Sequence, residues 1–381
     1  MKTRTSHGQH TLPGEYFSSD EIFLEERQRI FRRRWLAAGH VSQIASPGSY
    51  FLFGLDHENV LVLRDTEGPT TQGRVRAFHN LCRHRGSRLC LEAQGQLGRS
   101  IQCPYHAWTY GLDGHLRAAP HMDEVPGFDK AGHGLLPVAV AECDGLVFVN
   151  LDPQAQPFEE AMPELPGKFD RWLLKDLVSV HQTVYEVEAN WKLFFHNYSE
   201  CYHCPAVHPH LNKLTPYRNS ENDLDQGPFL GGPMMMVDPH GSMTMHGGRC
   251  AAPFPGLSPE EQARVFYYTV FPSMFLSYHP DYVLVHRAEA LATTHTRIFC
   301  DWYFHPEAVA TPGFDPTSAI EFWDLTNRQD WDLCANTQRG VSSPAYVPGP
   351  YSDLESQLAA FDREYLKAMG RPLAPQLQAV G

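Results

Sequence analysis

One stretch narrows the fold more than any other part of this chain. Between Asn80 and Gly111, Cys82-x-His84 is followed after 18 residues by Cys103-x-x-His106. Two thiols and two imidazoles in mixed pairs are metal-ligand types, and they meet only if two loops lie side by side. The flanking residues supply a frame for such loops. "YFLFGL" (50–55), "NVLVLR" (59–64), "VRAFHN" (75–80) and "SIQC" (100–103) are rich in β-branched and aromatic residues, separated by Gly, Asp and Asn turns. "VAVAECDGLVFVN" reads as a hairpin turning at Asp144-Gly145. A small all-β domain over residues 41–153 is expected, with the Cys/His pairs on two of its loops.

The rest of the chain divides around that domain. Residues 1–40 read as a helical arm packing with the larger domain: Met1 to Glu15 is polar and loose, and Ser18 with Glu21 forms a capping box. The helix it opens runs to Trp35, with Leu24, Phe31 and Trp35 on one face. Arg27, Arg29, Arg32, Arg33 and Arg34 form a solvated face or, alternatively, a partner contact. A Pro-rich linker covers 154–168, and 169–381 mixes helices with antiparallel strands. Asn190 caps a helix to Cys204, and late helices cover Ile320–Arg339 and Leu354–Met369.

Composition sets outer limits. The chain has 381 residues, 42% of them apolar and 20% charged, so it is globular and large enough for two domains. A net charge of −13 argues against nucleic acid and anionic membrane surfaces as partners. No run approaches the length of a membrane span. Nine cysteines show no disulfide-like density, and with no signal-peptide pattern at the Met1 end a reducing cytoplasm is expected.

Three readings compete for Cys82, His84, Cys103 and His106: scattered residues with no metal, a structural Cys₂His₂ zinc, or a Rieske [2Fe–2S] cluster. Zinc fingers group cysteines before histidines, whereas here each loop offers one of each. Interleaving suits a cluster with two cysteines on one iron and two histidines on the other. Gly86 allows close backbone approach, Pro104 stiffens the second loop, and Trp108 shields the centre from water. Cys90 stands outside the pattern and reads as a buried structural thiol.

A second set follows in "ANWKLFFHNYSECYHCPAVHPHL" (189–211). Glu200 and His203, at i and i+3, share a helix face, and Pro205 bends the chain to bring His208 back. The carboxylate that completes an iron site has four candidates: Glu321, Asp324, Asp330 and Asp332. Asp330 shares its face with Trp323, Asn327, Cys334 and Thr337, whereas Asp332 has a more polar one. Two histidines and one acid leave positions open for O₂ and substrate. His196, Asn197, Met235 and Phe271 are expected to line a substrate pocket, with Met234, Met236, Phe266, Tyr268 and Phe275 either joining it or forming core. No Gly-x-Gly-x-x-Gly dinucleotide fingerprint occurs, so electrons come from a separate NAD(P)H reductase, with or without a ferredoxin.

From about Phe17 to Tyr365 the chain resembles the Rieske non-haem iron ring-hydroxylating oxygenases, in their catalytic α subunits. The resemblance is carried by Cys82-x-His84, Cys103-Pro104-Tyr105-His106-x-Trp108, Asn190-Trp191-Lys192, Asn197, Tyr202-His203 and His208-Pro209. It implies an α+β fold: the all-β Rieske domain plus a helix-grip-like catalytic domain with an antiparallel sheet. It implies that Cys82, His84, Cys103 and His106 hold the cluster and that His203, His208 and Asp330 hold a mononuclear Fe(II). It makes Glu200 the acid linking His203 to His106 of a neighbouring subunit in a homotrimer. His196 stands where the family has Glu, and Glu200 stands where naphthalene-type dioxygenases have Asp. Those departures resemble the monooxygenase and demethylase branch, including choline and betaine oxygenases. The leading expectation is an oxygenase component acting on a small aromatic or methylated-amine molecule. A Rieske electron carrier without catalysis and a zinc-stabilised binding module are the alternatives.

Overall fold

The structure, a computed structural model, describes residues 8–66 and 73–372. Met1 to His7, the first part of the segment expected to be loose, lies outside them. The chain forms two units: one runs from Arg32 to Ala161, and the other joins the residues up to Phe31 with those from Met162 onward.

In the residues up to Phe31, α1 (Glu15–Ser18) precedes α2 (Asp20–Glu26), which continues as a π-helical stretch, Arg27–Phe31. The cap differs from expectation. Ser19, not Ser18, accepts from the Ile22 N–H, while the Ser18 hydroxyl donates back to the Gly14 carbonyl. The buried face holds Ile22, Phe23 and Glu26, and Leu24 is exposed. The segment before α1 is tied down: Thr11 N–H donates to the Gly349 carbonyl and Tyr351 N–H to that of Gln9.

The Arg32–Ala161 unit is β-rich. A seven-stranded sheet runs β1-β10-β9-β4-β3-β2-β5. Its strands are β1 (Leu36–His40), β2 (Ser49–Leu55), β3 (Glu58–Arg64), β4 (Val75–His79), β5 (Gln94–Gln96), β9 (Pro137–Cys143) and β10 (Leu146–Asn150). A second sheet pairs β6 (Ser100–Gln102), β7 (Thr109–Gly111) and β8 (Leu116–Ala118) in sequence order. The expected hairpin is β9–β10, closed with Cys143 opposite Leu146 and positive φ at Asp144 and Gly145, as a tight two-residue turn demands. The expected arm boundary at residue 40 is corrected: Leu36–His40 pairs with β10 as an edge strand of this unit. The expected linker contains the break between the two units, after Ala161, but it is not extended. α3 (Phe158–Ala161) lies within it, and Phe158, Met162 and Leu165 are buried.

In the other unit a six-stranded antiparallel sheet has the order β11-β16-β15-β14-β13-β12. Its strands are β11 (Val178–Val187), β12 (Phe229–Met235), β13 (Arg264–Val270), β14 (Met274–Tyr278), β15 (Val283–Ala292) and β16 (His295–Phe304). α4 (Trp191–Tyr198), α5 (Cys204–Val207) and α6 (Pro209–Leu214) follow β11; α7 (Pro259–Gln262) and α8 (Pro306–Val309) are short; α9 (Thr317–Val341) and α10 (Ser356–Ala368) close the chain.

The first turn of α4 is anchored at both ends of its polar demand. Asn190 caps it through the Lys192 N–H, and the Asn190 amide donates to the Thr293 carbonyl. Glu26 of α2 accepts from Lys192 Nζ at 2.6 Å, from Trp191 Nε1 at 2.7 Å and from Tyr365 Oη at 2.6 Å. Lys192 and Glu26 are both fully buried, and burial pulls the Lys192 ammonium pKa down while Glu26 opposes it. Removing either partner leaves a lone buried charge, a loss of about 3–5 kcal/mol. This anchor fixes the helix that leads into Asn197 and Glu200.

Candidate metal centres

Two sets of metal-type donors converge, one in each unit. In the β-rich unit the loop after β4 carries Cys82 and His84, and the loop between β6 and β7 carries Cys103 and His106. Each loop folds back on its own cysteine: Gly86 N–H donates to the Cys82 carbonyl and Ala107 N–H to that of Cys103. Gly86 has φ +73°, and a Cβ there meets nothing within 4 Å, so backbone conformation rather than space requires the glycine.

Cys82 and Cys103 are buried in one apolar cluster with Leu61, Trp108 and Tyr110. Burial raises the Cys82 thiol pKa against the opposing hydrogen bond from Tyr110, whose Oη lies 3.3 Å from Cys82 Sγ. His84 and His106 are exposed, with ring centroids 4.7 Å apart. Trp108 is buried and stacks on His84 at 4.9 Å and 8°. The four side chains therefore meet with sulfurs inward and imidazoles outward. That donor set suits a centre with one thiolate-bound and one imidazole-bound iron. Cys90 is buried outside it, and burial pushes its thiol up to about 11.

The second set is built differently from its expected form. α4 stops at Tyr198, so Glu200 and His203 do not share a helix face. Between α4 and α5 the chain turns, and Glu200 accepts from the backbone N–H groups of Tyr202 and His203. This turn presents Glu200 Oε1 to His203 Nδ1 at 2.6 Å. It also joins Cys201 to Cys204 in a disulfide, contrary to the expectation of none. A separation of three residues within one turn brings the two sulfurs together without any long-range packing.

Pro205 lies in the first turn of α5 and Pro209 begins α6, and His208 sits at the break between them. Its ring lies 5.2 Å from that of His203. On α9, Asp330 Oδ1 meets His208 Nε2 at 2.7 Å and His203 Nε2 at 3.3 Å. One donor atom from each of His203, His208 and Asp330 lies within 4.8 Å of the others. Asp332 is exposed, whereas Trp323, Asn327 and Cys334 on Asp330's face are buried; Thr337, a turn further on, is exposed.

Each Nδ1 is occupied, which turns each Nε2 toward the common point. His203 has Glu200, and His208 has Gln329 Oε1 at 2.7 Å. Gln329 was not anticipated, because an amide one residue before a ligand carries no sequence signal of its own. Electrostatics favour positive charge here. Burial works against a charged His203, but Asp330 and Glu200 outweigh it and hold its pKa up to about 10. Burial likewise opposes the Asp330 carboxylate, and His203 and His208 overcome it, keeping that pKa low. Two imidazoles and an acid arranged to attract a cation fit a ferrous ion.

A cavity of about 910 Å³, open to solvent, reaches these three residues. Of the expected pocket residues, Asn197 lines it, as do Met234 and Tyr268. His196 does not: its Nε2 bonds Asp362 Oδ1 at 2.8 Å. Phe271 is buried against Trp191 and Phe361. Met235 is exposed outside the lining, because alternation along β12 turns Met234 to the cavity instead. Met236, Phe266 and Phe275 also lie outside the lining. Among the residues missed are Tyr198, Tyr217, Glu221, Tyr267, Trp323 and Gln357. Trp323 had a signal, its place seven residues before Asp330 on one helix face.

Comparison with known proteins decides what this pair of centres belongs to. Residues 34–129 match the Rieske [2Fe-2S] domain model, and residues 174–371 match that of the ring hydroxylating alpha subunit (catalytic domain). The chain is a ring-hydroxylating oxygenase α subunit. The glycine betaine monooxygenase oxygenase subunit of Chromohalobacter salexigens is 31% identical, over 92% of this chain and 83% of that one. The carnitine monooxygenase oxygenase subunit of Acinetobacter pittii is 37% identical over 52% of this chain and 53% of that one. The crystal structure of a quaternary ammonium Rieske monooxygenase matches with a TM-score of 0.81 and 25% identity, covering 96% of this chain and 97% of that one.

As an α subunit of this family, on its monooxygenase branch, the chain is an oxidoreductase that incorporates O₂. Its cofactors are a Rieske cluster and a mononuclear iron, and its electrons come through a separate reductase. Among the described residues no helix is long and apolar enough to cross a membrane.

Proposed function

We propose that the chain oxidises a methylated ammonium compound at a carbon bonded to nitrogen. When bound, the cluster supplies electrons singly and the iron activates O₂ beside the substrate. Cys82, Cys103, His84 and His106 hold the first group; His203, His208 and Asp330 hold the second. The observation that carries this reading is the cavity reaching His203, His208 and Asp330 past Tyr198, Tyr217, Tyr267 and Trp323. Aromatic walls attract a cation that cannot donate hydrogen bonds.

Each residue has a task that its contacts support. Glu200 and Gln329 fix the tautomers of His203 and His208 by accepting from Nδ1–H, so that Nε2 is free to coordinate. Trp108 backs His84 and excludes water from that side. The overall reaction puts one oxygen atom into a C–H bond next to nitrogen. The other leaves as water, taking two electrons from the reductase and two protons. The hydroxylated carbon then separates from nitrogen as an aldehyde.

The assembly we propose is a homotrimer in the cytoplasm. Exposed His106 of one subunit meets Glu200 of the next, so electrons pass from His106 through Glu200 to His203. A three-fold ring gives every iron one neighbouring cluster.

The test is O₂ uptake with a surrogate reductase against trimethylammonium compounds and aromatic acids, with aldehyde release measured in parallel. Matching O₂ consumption and aldehyde formation on a trimethylammonium compound is expected. Turnover of aromatic acids alone would sink the reading.

A further inference from the structure

The reading above names the reactive end of the substrate and leaves the other end open. Glycine betaine and carnitine, in the names of the relatives, carry a carboxylate besides their quaternary nitrogen. The cavity wall bears on whether this chain's substrate does.

The lining includes three carboxylates, Glu200, Glu221 and Asp330, and among its described residues no Lys or Arg. Glu200 is engaged by His203, and Asp330 by both histidines. A divalent ion at the histidines offsets those two acids and leaves Glu221. That residue is exposed at the cavity and makes no ion pair among the described residues.

Two cations touch lining residues without lining the cavity themselves. Lys168 pairs with Asp223 at 2.8 Å and lies 5.1 Å from the Tyr268 ring centroid. Arg218 donates from Nε to Tyr217 Oη at 2.8 Å and is exposed. A carboxylate entering this cavity therefore gives up water for a wall with no cation and one unpaired acid. That arrangement rejects an anion.

Among the uncharged polar groups, Gln357 points the same way. Gln357 is 4% exposed and lines the cavity. Its Nε2 donates to the Leu224 carbonyl, while its Oε1 is buried and accepts no hydrogen bond among the described residues. Tyr267 Oη and Ser199 Oγ are also buried and unpartnered, and as hydroxyls they serve a donor or an acceptor alike. What the amide has left to offer is an acceptor, and its natural partner is a neutral hydroxyl or amide N–H.

We infer that the substrate is a methylammonium cation whose remaining arm ends in a neutral hydrogen-bond donor and carries no carboxylate. This rests on the methylated-ammonium reading of the same site. The aromatic surfaces of Tyr217, Tyr267 and Trp323 receive the cationic head, Gln357 receives the donor, and Glu221 selects for net positive charge.

The experiment compares choline, glycine betaine and carnitine on the enzyme with both centres loaded, measuring O₂ uptake, aldehyde release and binding by calorimetry. Choline is expected to exceed both carboxylated compounds by about tenfold or more in kcat/KM and in affinity. Glu221→Lys should weaken choline and strengthen glycine betaine, narrowing that ratio about tenfold, with Glu221→Gln falling between. The cluster spectrum of each variant reports folding. If glycine betaine or carnitine is preferred, the inference is overturned and the methylammonium reading stands. If the ratio stays fixed in a folded Glu221→Lys protein, Glu221 selects nothing and the charge argument is wrong. If no methylammonium compound is bound or turned over, both readings fall together.

Discussion

The two pairs of imidazoles in this molecule live under opposite conditions. His84 and His106 are exposed, have buried cysteines behind them, and rest on rings: His84 on Trp108, His106 on Tyr105. His203 and His208 sit deeper, each with its Nδ1 held by a side-chain oxygen and its Nε2 turned to Asp330. A centre that only passes electrons benefits from an edge at the surface, where a partner can approach. A centre that governs when O₂ reacts needs ligands locked in place and a cavity to sense the substrate. On the proposed assignment, exposure in one unit and satisfied hydrogen bonds in the other are the physical forms of that division of labour.

The division breaks most visibly if the sites are not independent. Cys103→Ser is expected to abolish the visible absorption and the EPR signal of the reduced cluster while the mononuclear iron stays bound. A hydroxyl does not replace a thiolate ligand. Asp330→Ala is expected to do the reverse, keeping the cluster spectrum but losing the mononuclear iron and all turnover. Iron analysis alongside EPR decides it. Asp332→Ala reproducing that loss would contradict the inner-face placement of Asp330.

Next in size is complementation. His106→Ala and His208→Ala chains, each inactive alone, are expected to recover partial activity when co-assembled, because some neighbours then pair an intact cluster with an intact iron. Mixed assemblies of proven composition that remain inactive would place the electron path within one chain.

A smaller effect probes the locking itself. Gln329→Leu removes the only side-chain acceptor seen on His208 Nδ1 among the described residues. Iron is expected to bind about 10- to 100-fold more weakly, measured by its loss to a chelator, with no change in the cluster spectrum. Unchanged iron retention would mean that packing alone orients His208.

The smallest effect lies on the buried side of the exposed centre. Tyr110→Phe removes the hydroxyl next to Cys82 Sγ. That hydrogen bond favours the more negative, reduced cluster. Losing about 1 kcal/mol of it lowers the reduction potential by roughly 40 mV. A potential that stays put would show that Tyr110 serves only the Arg83 N–H, which also donates to its hydroxyl.

The two regions also differ in how much of them the chain's own order of residues discloses. Within each pair the Cys and His share one loop, Cys82 with His84 after β4 and Cys103 with His106 between β6 and β7, so the spacing inside a pair is local even though the two loops meet only through the fold. The pairing of Cys82 with His84 and of Cys103 with His106 was legible for that reason, and so was the β9–β10 turn. Asp330 was legible at longer range, because helical periodicity sets it on a face with Trp323 and Asn327 while Asp332 turns outward.

The histidine turn was not legible. Continuing α4 to Cys204 looked sound by propensity, but Glu200 takes up the backbone N–H groups of Tyr202 and His203 and ends the helical pattern early. His196 looked like a pocket residue from its place beside Asn197. Only the packing of α10 shows that Asp362 claims it.

Local rules thus determined how metal-type residues are grouped along the chain: spacing within one loop and periodicity along one helix act over a few residues. Tertiary structure alone decided which of those groups face the cavity, and with what charge. Glu221, Trp323 and Gln357 come from three separate segments and meet only when the sheet, α9 and α10 close around one space. Substrate selection depends on that closure, since the free energy of a charged or donor group in a cavity is set by every wall at once.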